Sequence, residues 1–581
     1  MAPCLPKNDP DPARRRAAME SDRERWQFDR TQHGFPLAAD VAHGESYSAS
    51  YLLRAVAAKG ELFATRLAAS HTDALVEARA EYEALKRAGA DPSTASDGTL
   101  RERLAAAMDE RLYAPMVSVA HVDDYAALFH ALPMPATRPF ADDDGFFAWQ
   151  RLAGCNALHL RRQTEADARF PVTEEHFRGA SGDGDGLARA RAEGRLYVLD
   201  LTALEGIATG ATLGWQRYCD APQALFVRAL DGAFRPVAVQ SKPRPGRHAP
   251  VLTPRDGTRW RHARLGVQTA DAVWAGAVMH LSICHALAGG VQVCTARELA
   301  ANHPVRRLLW PHFEMTAAAN TTMKTDVIGV GGYFDRLLAP TLEASIDLGV
   351  RALRSRSIRD SAPWRDVALR GCDDLEALPA YPLRDDGLPI AFALRTWINA
   401  YLALWYGDDA DVVSDPELAA WHRSLGDAAG AGLHDVPALT SRADLADLLT
   451  TFVFHITAVH ASVNYDGYDH YAWPATYPSA RWAPTPGPDD EPTEEDLLRA
   501  LPPLGIADRM LDLTIPQLRL RMNTLGHYAA DAFGDPRTAP LVAAFRAELE
   551  RIEEATAARD AARPWSFPYL LPSRVAQSIH V

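Results

Sequence analysis

The sequence has few cysteines for its length, and their positions exclude two common uses. The six, in a chain of 581 residues, are Cys4, Cys155, Cys219, Cys284, Cys294 and Cys372. This scatter forms neither a dense disulfide framework nor a CxxC metal motif, and it predicts a reducing, cytoplasmic environment. An apolar run is also lacking after Arg14, Arg15 and Arg16, so we do not expect a secretory signal.

An excess of positive charge is absent as well. The chain has 61 basic and 75 acidic side chains, which gives a net charge of −14. Nucleic acid and anionic membrane surfaces are therefore not expected as partners. The apolar fraction of 47% is enough for a sizeable core.

The pattern of the remaining residues predicts a mainly α fold. Ala, Leu, Glu and Arg recur at helical spacing over residues 51–90 and 100–112, and similar segments continue to Ala562. Three short β-branched or aromatic runs, LYVLDL, ALFVRA and FRPVAV, lie between residues 196 and 239. The last two flank the turn dipeptide Asp231-Gly232. We therefore predict a small sheet or hairpin, an extended N-terminal arm over residues 1–40, and one domain over 41–581.

The longest uncharged stretch, 22 residues from 273 to 294, has the length of a membrane span. It contains polar groups that are unfavourable in hydrocarbon, among them His280, His285 and Gln292. We therefore predict a helix buried in a globular core and no transmembrane segment.

The two histidines of this stretch have an unusual spacing. His280 and His285 are five residues apart, roughly 140° around an α-helix, so an α-helix cannot direct both at one ion. A π-bulge inserts one residue in a turn and aligns positions i and i+5, so we predict a π-helical turn over 280–285. Separate core histidines, each bonded to a backbone carbonyl, are the alternative. The pair lacks the glutamate of HExxH, which argues against a zinc hydrolase.

A second motif favours a metal site over separate core histidines. In HASVN, His460 and Asn464 are four residues apart and roughly 40° around a helix, so both can reach one ion. The free carboxylate of Val581 completes a set of three imidazoles, one amide and one carboxylate. Together these groups predict one buried metal.

These residues resemble the lipoxygenase family, the non-haem iron dioxygenases of polyunsaturated fatty acids. The metal helix of that family has two histidines five apart, followed eighteen residues later by HP and then LL-x-PH. Here His285 is followed by His303-Pro304 and by LLWPHF, without a gap. HASVNY resembles the family's HAAVNF, and the C-terminal Val581 stands where the family usually has a ligand isoleucine.

Further motifs extend the resemblance along the chain. FFAWQRLAGCN resembles F-x-x-Q-x-L-x-G-x-N, YPLRDDGLP resembles YP-x-R-x-DGL, SDPELAAWH resembles D-x-EL-x-x-W, and LGHY resembles LG-x-Y. The N-terminal β-sandwich that animal and plant members use for calcium and membrane contact is missing, as in bacterial members. The resemblance therefore implies a catalytic domain alone, and calcium-dependent membrane docking is not expected.

The resemblance also implies a ligand set and a reaction. His280, His285, His460, Asn464 and Val581 would bind one iron. A hydroxide bound to that metal would act as the base, with no separate side-chain base. It would remove a hydrogen atom from a methylene between two cis double bonds, and O2 would then add to give a hydroperoxide. Manganese is an alternative, since some fungal relatives use it and end in valine.

Several departures from the family lie near the predicted metal. Glutamines are usual four residues before the first ligand histidine and three after the ligand asparagine, but here these positions are Gly276 and Gly467. We expect their loss to open space beside the metal. The residue after the first ligand, often aromatic, is Leu281, and the threonine common before the second is Cys284.

The residue that directs oxygen in the family corresponds, by ungapped counting from His312, to Met323. We expect it to line the substrate pocket and oxygen path with Val327, Ile328, Gly276, Gly467 and Leu281. If the register slips, Met323 is core filler. Three functions stay open: a fatty-acid lipoxygenase, a lipoxygenase-fold oxygenase of another unsaturated metabolite, and a catalytically silent lipid-binding relative.

Overall fold

A computed structural model describes residues 2–29, 31, 34–42, 44–69 and 116–581, and it is mainly helical, as predicted. The longer α-helices are Pro12–Arg25, Ala49–Ala69, Thr258–Trp274, Leu287–Glu298, Leu342–Ser355, Leu388–Leu402, Arg442–Phe454, Leu504–Arg519 and Thr538–Ala561. The shorter ones are Asp144–Leu152, Glu174–Phe177, Leu187–Ala192, Pro304–Leu309, Thr316–Asp326, Tyr333–Leu337, Pro363–Leu369, Asp409–Val413, Pro416–Gly426, His460–Asn464, Gly467–Tyr471 and Glu494–Ala500.

The first predicted helical segment is confirmed in part. The helix Ala49–Ala69 covers the beginning of the predicted 51–90 segment. The rest of that segment and the predicted 100–112 helix lie outside the described residues.

The first 40 residues are not extended throughout, which corrects the prediction of an arm. A helix occupies Pro12–Arg25, where Asp11 accepts a hydrogen bond from the Arg14 N–H and Pro12 takes the first turn. Arg15 is buried and paired with Asp9 at 2.7 Å and with Glu417. This charged network fixes the segment against the body of the protein.

The predicted small sheet is present and antiparallel. Its four strands are β1 (Arg161–Arg162), β2 (Leu196–Asp200), β5 (Gln223–Arg228) and β6 (Phe234–Gln240), in the order β1-β2-β5-β6. The two-residue strands β3 (Ala211–Thr212) and β4 (Trp215–Gln216) form a second, separate ladder. Strands β5 and β6 form the hairpin predicted around Asp231-Gly232, where Gly232 has a φ of 90°.

Two long helical stretches run through the main core. The stretches Thr258–Glu298 and Arg442–Tyr471 are each long and apolar enough to cross a membrane, but in both the most apolar window is 94% buried inside the protein. Packing against other helices therefore accounts for their apolar side chains. The prediction that the uncharged segment is a buried core helix is confirmed.

Candidate metal centre

The first long stretch changes its winding where the paired histidines lie. Residues Ala275–Ala286 form a π-helix between two α-helical segments. The predicted π-turn over 280–285 is therefore confirmed, and the π-helical region is longer than expected. His280 and His285 project together, with their ring centroids 4.8 Å apart and their Nε2 atoms 3.3 Å apart.

The second long stretch adds a third imidazole and an amide. A π-helix at His455–Val459 runs directly into the helix His460–Asn464. The ring of His460 lies 5.3 Å from that of His280 and 5.3 Å from that of His285, centroid to centroid. Each of the three rings presents a nitrogen within 4.8 Å of the others. Asn464, one turn after His460, is fully buried and faces the same cavity.

The C-terminal tail reaches these residues because the LLWPHF region holds it. The Nδ1–H of His312 donates to the Gln577 carbonyl at 2.9 Å, and the Thr316 hydroxyl donates to the Ile579 carbonyl at 2.9 Å. With the tail bound in this way, Val581 lines the cavity and its main chain adjoins the rings of His285 and His460.

Several polar atoms of this cluster have no partner in the part of the chain that the structure describes. Both ring nitrogens of His460 and both amide atoms of Asn464 are buried without a hydrogen-bond partner among the described residues. Burial lowers the pKa of His285 to about 4, and burial together with the neighbouring imidazoles keeps the pKa values of His280 and His460 well below the ordinary value. Three neutral imidazoles brought together beside a buried amide fit a transition-metal ion.

His285 has a supporting residue that the sequence did not indicate. The Nδ2 group of Asn320 donates to the His285 carbonyl at 3.2 Å, so Asn320 Oδ1 is free to accept from His285 Nδ1–H at 2.9 Å. This bond fixes the tautomer and leaves Nε2 available as a ligand. Gly289 provides the space, because a Cβ there would lie 2.8 Å from Asn320 Nδ2.

His280 and His285 lie at the inner wall of a cavity of about 470 Å³, together with Asn464 and Val581. Residues of the helices Ala49–Ala69, Thr316–Asp326 and Leu504–Arg519 form much of the remaining wall. Arg66 joins two of these elements through Asp508 at 2.9 Å and Asp512 at 3.0 Å. The wall is mostly apolar, and its residues include Tyr51, Leu52, Ala55, Leu62, Leu281, Phe334, Leu337, Leu338, Val463, Met510, Leu513 and Leu520.

Four of the six predicted pocket residues line this cavity: Gly276, Leu281, Met323 and Val327. The other two do not. Ile328 is buried but packs in the core outside the cavity wall. Gly467 is replaced at the wall by Gln517.

Gly276 and Gly467 therefore differ in whether they leave open space beside the proposed metal. The expectation that both do so is wrong for Gly467. A Cβ at Gly276 would make ordinary contacts of 3.8 Å with Leu338 and Phe334, which line the cavity. A Cβ at Gly467 would lie 2.3 Å from Oε1 of Gln517. The space left at Gly467 is thus occupied by an amide from a different helix.

Charged groups also line the cavity. Lys59, Asp326, Arg509 and Asp512 all belong to its wall. Arg509 donates from Nη1 to Asp512 at 2.9 Å, and its guanidinium lies 5.8 Å from the ring centroid of Tyr333. No sequence motif selects one arginine from the many in the chain, but in the structure Arg509 lines the cavity.

A second cluster of possible metal ligands is held together by contacts among its own side chains. Cys155, Asp466 and His470 are all buried and close together. His470 Nδ1 lies 2.9 Å from Asp466, and the Cys155 thiol contacts the same carboxylate at 3.7 Å. Because the carboxylate already contacts both His470 Nδ1 and the Cys155 thiol, we interpret this cluster as a buried polar contact.

Comparison with known proteins agrees with the resemblance seen in the motifs. The family model described as lipoxygenase matches residues 136–502. A linoleate 9/13-lipoxygenase of Pseudomonas aeruginosa is 30% identical over 603 aligned positions, which span 94% of this chain and 87% of that protein.

Solved structures give the same result for the fold. A lipoxygenase crystallised without oxygen in complex with arachidonate superposes with a TM-score of 0.84 at 25% identity, and covers 100% of this chain and 84% of that one. A manganese lipoxygenase of Gaeumannomyces graminis superposes with a TM-score of 0.72 at 21% identity over the whole of both chains.

Proposed function

The chain belongs to the lipoxygenase family, and from this premise we propose that it inserts O2 into a polyunsaturated fatty acid at one non-haem iron. Its proposed ligands are His280, His285, His460, Asn464 and the main-chain carboxylate of Val581. One observation carries the proposal: the imidazoles of His280, His285 and His460 meet beside a mostly apolar cavity, and polar atoms of His460 and Asn464 are buried without a partner among the described residues.

The bound ion would supply the one-electron chemistry that removes a hydrogen atom from the methylene between two cis double bonds. The protein supplies position and a dry environment. Leu281, Met323 and Val327 line the cavity together with His280, so they would fix which carbon of the chain lies beside the imidazoles. Asn320 holds the His285 ring so that Nε2 faces the cavity.

The charged groups of the cavity suggest how the acid end of the substrate is bound. Arg509 is partly exposed and shares Asp512 with Arg66. We propose that Arg509 binds the fatty-acid carboxylate while the apolar chain extends toward the imidazoles, because a guanidinium can pair with two carboxylates at once.

Iron is our proposal for the metal, with manganese as the alternative that a metal analysis must exclude. Nitrogen and oxygen donors with one carboxylate suit either ion. The similarity to a manganese lipoxygenase concerns the fold and does not select the metal. We further propose a cytoplasmic location, supported by the six cysteines, which are all free thiols.

Metal analysis combined with oxygen uptake tests the proposed function. We expect about one iron per chain and oxygen uptake with linoleate or arachidonate, accompanied by a conjugated-diene absorbance. His460→Ala should abolish both, whereas His434→Ala, a change at an exposed histidine, should alter neither. Stoichiometric zinc would contradict an oxygenase. Uptake with a non-lipid polyene but with no fatty acid would contradict the proposed substrate.

A further inference from the structure

Gly467 is a glycine for reasons of space and not of backbone conformation. Its φ is not in the left-handed region, so an L residue could adopt its backbone. What excludes a side chain is Gln517, because a Cβ at Gly467 would approach its Oε1 to 2.3 Å and its Cδ to 3.0 Å. The amide of Gln517 therefore occupies the position that residue 467 would otherwise fill.

This position is on the same side of the helix as Asn464. The two residues between Asn464 and Gly467 have right-handed helical conformations, so positions 464 and 467 lie on one face. Gln517 comes from the helix Leu504–Arg519, which packs against this face, and it is only 5% exposed. Gln517 and Asn464 line the same cavity.

Both amides have unused hydrogen-bonding atoms. Oε1 of Gln517 and both Oδ1 and Nδ2 of Asn464 are buried without a partner among the described residues. An asparagine that binds a cation uses Oδ1, since the NH2 group has no lone pair to offer. Its Nδ2 then needs a buried acceptor, and the amide oxygen of Gln517 is one.

His285, another proposed ligand, is supported in the same way by an amide that lies in the space left by a glycine. Gly289 lies four residues after His285, and the space it leaves holds the amide of Asn320, which bonds to His285 at 2.9 Å. Gly467 lies three residues after Asn464, and the space it leaves holds the amide of Gln517. In both cases a glycine on the face of a ligand residue admits an amide from a distant helix.

We propose that Gln517 is a positioning residue for Asn464: its amide oxygen accepts a hydrogen bond from Asn464 Nδ2 and keeps Asn464 Oδ1 directed at the three imidazoles. The inference rests on the proposed metal centre. It predicts that the metal affinity depends on the polarity of residue 517, and that the volume of this side chain alone is not sufficient.

Metal retention against a chelator separates polarity from volume. Gln517→Leu keeps most of the volume and removes the acceptor, and we expect it to lose metal affinity by roughly 10- to 100-fold, as is typical when a residue that orients a ligand is changed. The electron paramagnetic resonance signal of the ferric protein should also change. Gln163→Leu is the matched control, because Gln163 is equally buried with an unpaired Oε1 but lies outside the cavity wall.

A rescue experiment tests the spatial argument. Gln517→Ala should weaken metal retention, and the double variant Gly467→Gln with Gln517→Ala should restore it, because the amide then enters the same space from the other helix. Gly467→Ala combined with Gln517→Ala removes the steric conflict without returning an amide, and should not restore retention. Gly467→Ala alone should displace Gln517 and weaken retention.

The outcomes distinguish this inference from the proposed function. Suppose that the wild-type protein binds iron and oxygenates fatty acids, and that Gln517→Leu retains metal as well as Gln163→Leu does. This result would overturn the inference and leave the proposed function unaffected. Wild-type protein that binds no metal would overturn both. If Gln517→Leu does not fold, the double variant Gly467→Gln with Gln517→Ala provides the test. The inference is also overturned if this double variant folds but retains no more metal than Gln517→Ala alone.

Discussion

Replacing Thr316 by valine should loosen the C-terminal tail that carries Val581. The Thr316 hydroxyl is fully buried and donates to the Ile579 carbonyl at 2.9 Å, two residues before Val581. Valine has nearly the same volume, so the substitution leaves no cavity, but it cannot donate a hydrogen bond. The Ile579 carbonyl then stays buried without this donor.

The size of the effect follows from that carbonyl. A buried acceptor that loses its partner costs about 1–3 kcal/mol, while an opened tail regains water as a partner. Opening of the tail should therefore become roughly 5- to 150-fold more frequent. The bond from His312 to Gln577 remains, so we expect the tail to stay bound most of the time.

Amide hydrogen exchange of the tail measures this opening directly. The Gln577 amide donates to the Asn523 carbonyl at 2.7 Å and exchanges only when the tail detaches. Thr450→Val is the control, because Thr450 is equally buried but its hydroxyl bonds to Ala446 within its own helix. Exchange at Gln577 that is no faster in Thr316→Val than in Thr450→Val would refute the reasoning.

Three other changes have defined outcomes. Burial and the Arg481 guanidinium lower the pKa of His262 to about 4, with Arg261 also lowering it and Asp496 opposing. The unfolded chain then binds more protons than the folded one between about pH 6.5 and 4, so the free energy of unfolding falls as the pH falls through this window. In urea unfolding, His262→Gln should remove roughly 1–2 kcal/mol of the decrease in that free energy between pH 7 and 5. Met323→Ala should widen the cavity, lower stability by about 2 kcal/mol, and change the isomer ratio of the hydroperoxides in chiral chromatography; an unchanged ratio would make Met323 a packing residue. Arg509→Leu should raise the KM for a free fatty acid by about 10-fold and leave that for its methyl ester unchanged, and equal effects on both would exclude a carboxylate contact.

The residues that we propose as ligands could be predicted from the sequence because the spacing within each histidine motif is local. Histidines five apart cannot share a face of an α-helix, so a π-turn was the available geometry, and the structure contains one. The roles of His303 in the HP motif and of His312 in LLWPHF could not be predicted from the sequence. His303 bonds Asp415 of SDPELAAWH at 3.0 Å, and His312 holds the tail, so each motif is matched to a partner more than a hundred residues away.

The sequence by itself determined the helical class, the hairpin, the buried central helix and the residues that we propose as ligands, because apolar periodicity and ligand spacing act within a few turns of one element. Tertiary structure alone decided which groups support those ligands. Asn320, Gln517 and Arg509 reach the cavity from helices distant in the chain, and their selection depends on the space between packed helices. Gly467 shows the difference: in the sequence it is a missing side chain, and in the structure its space is filled by Gln517.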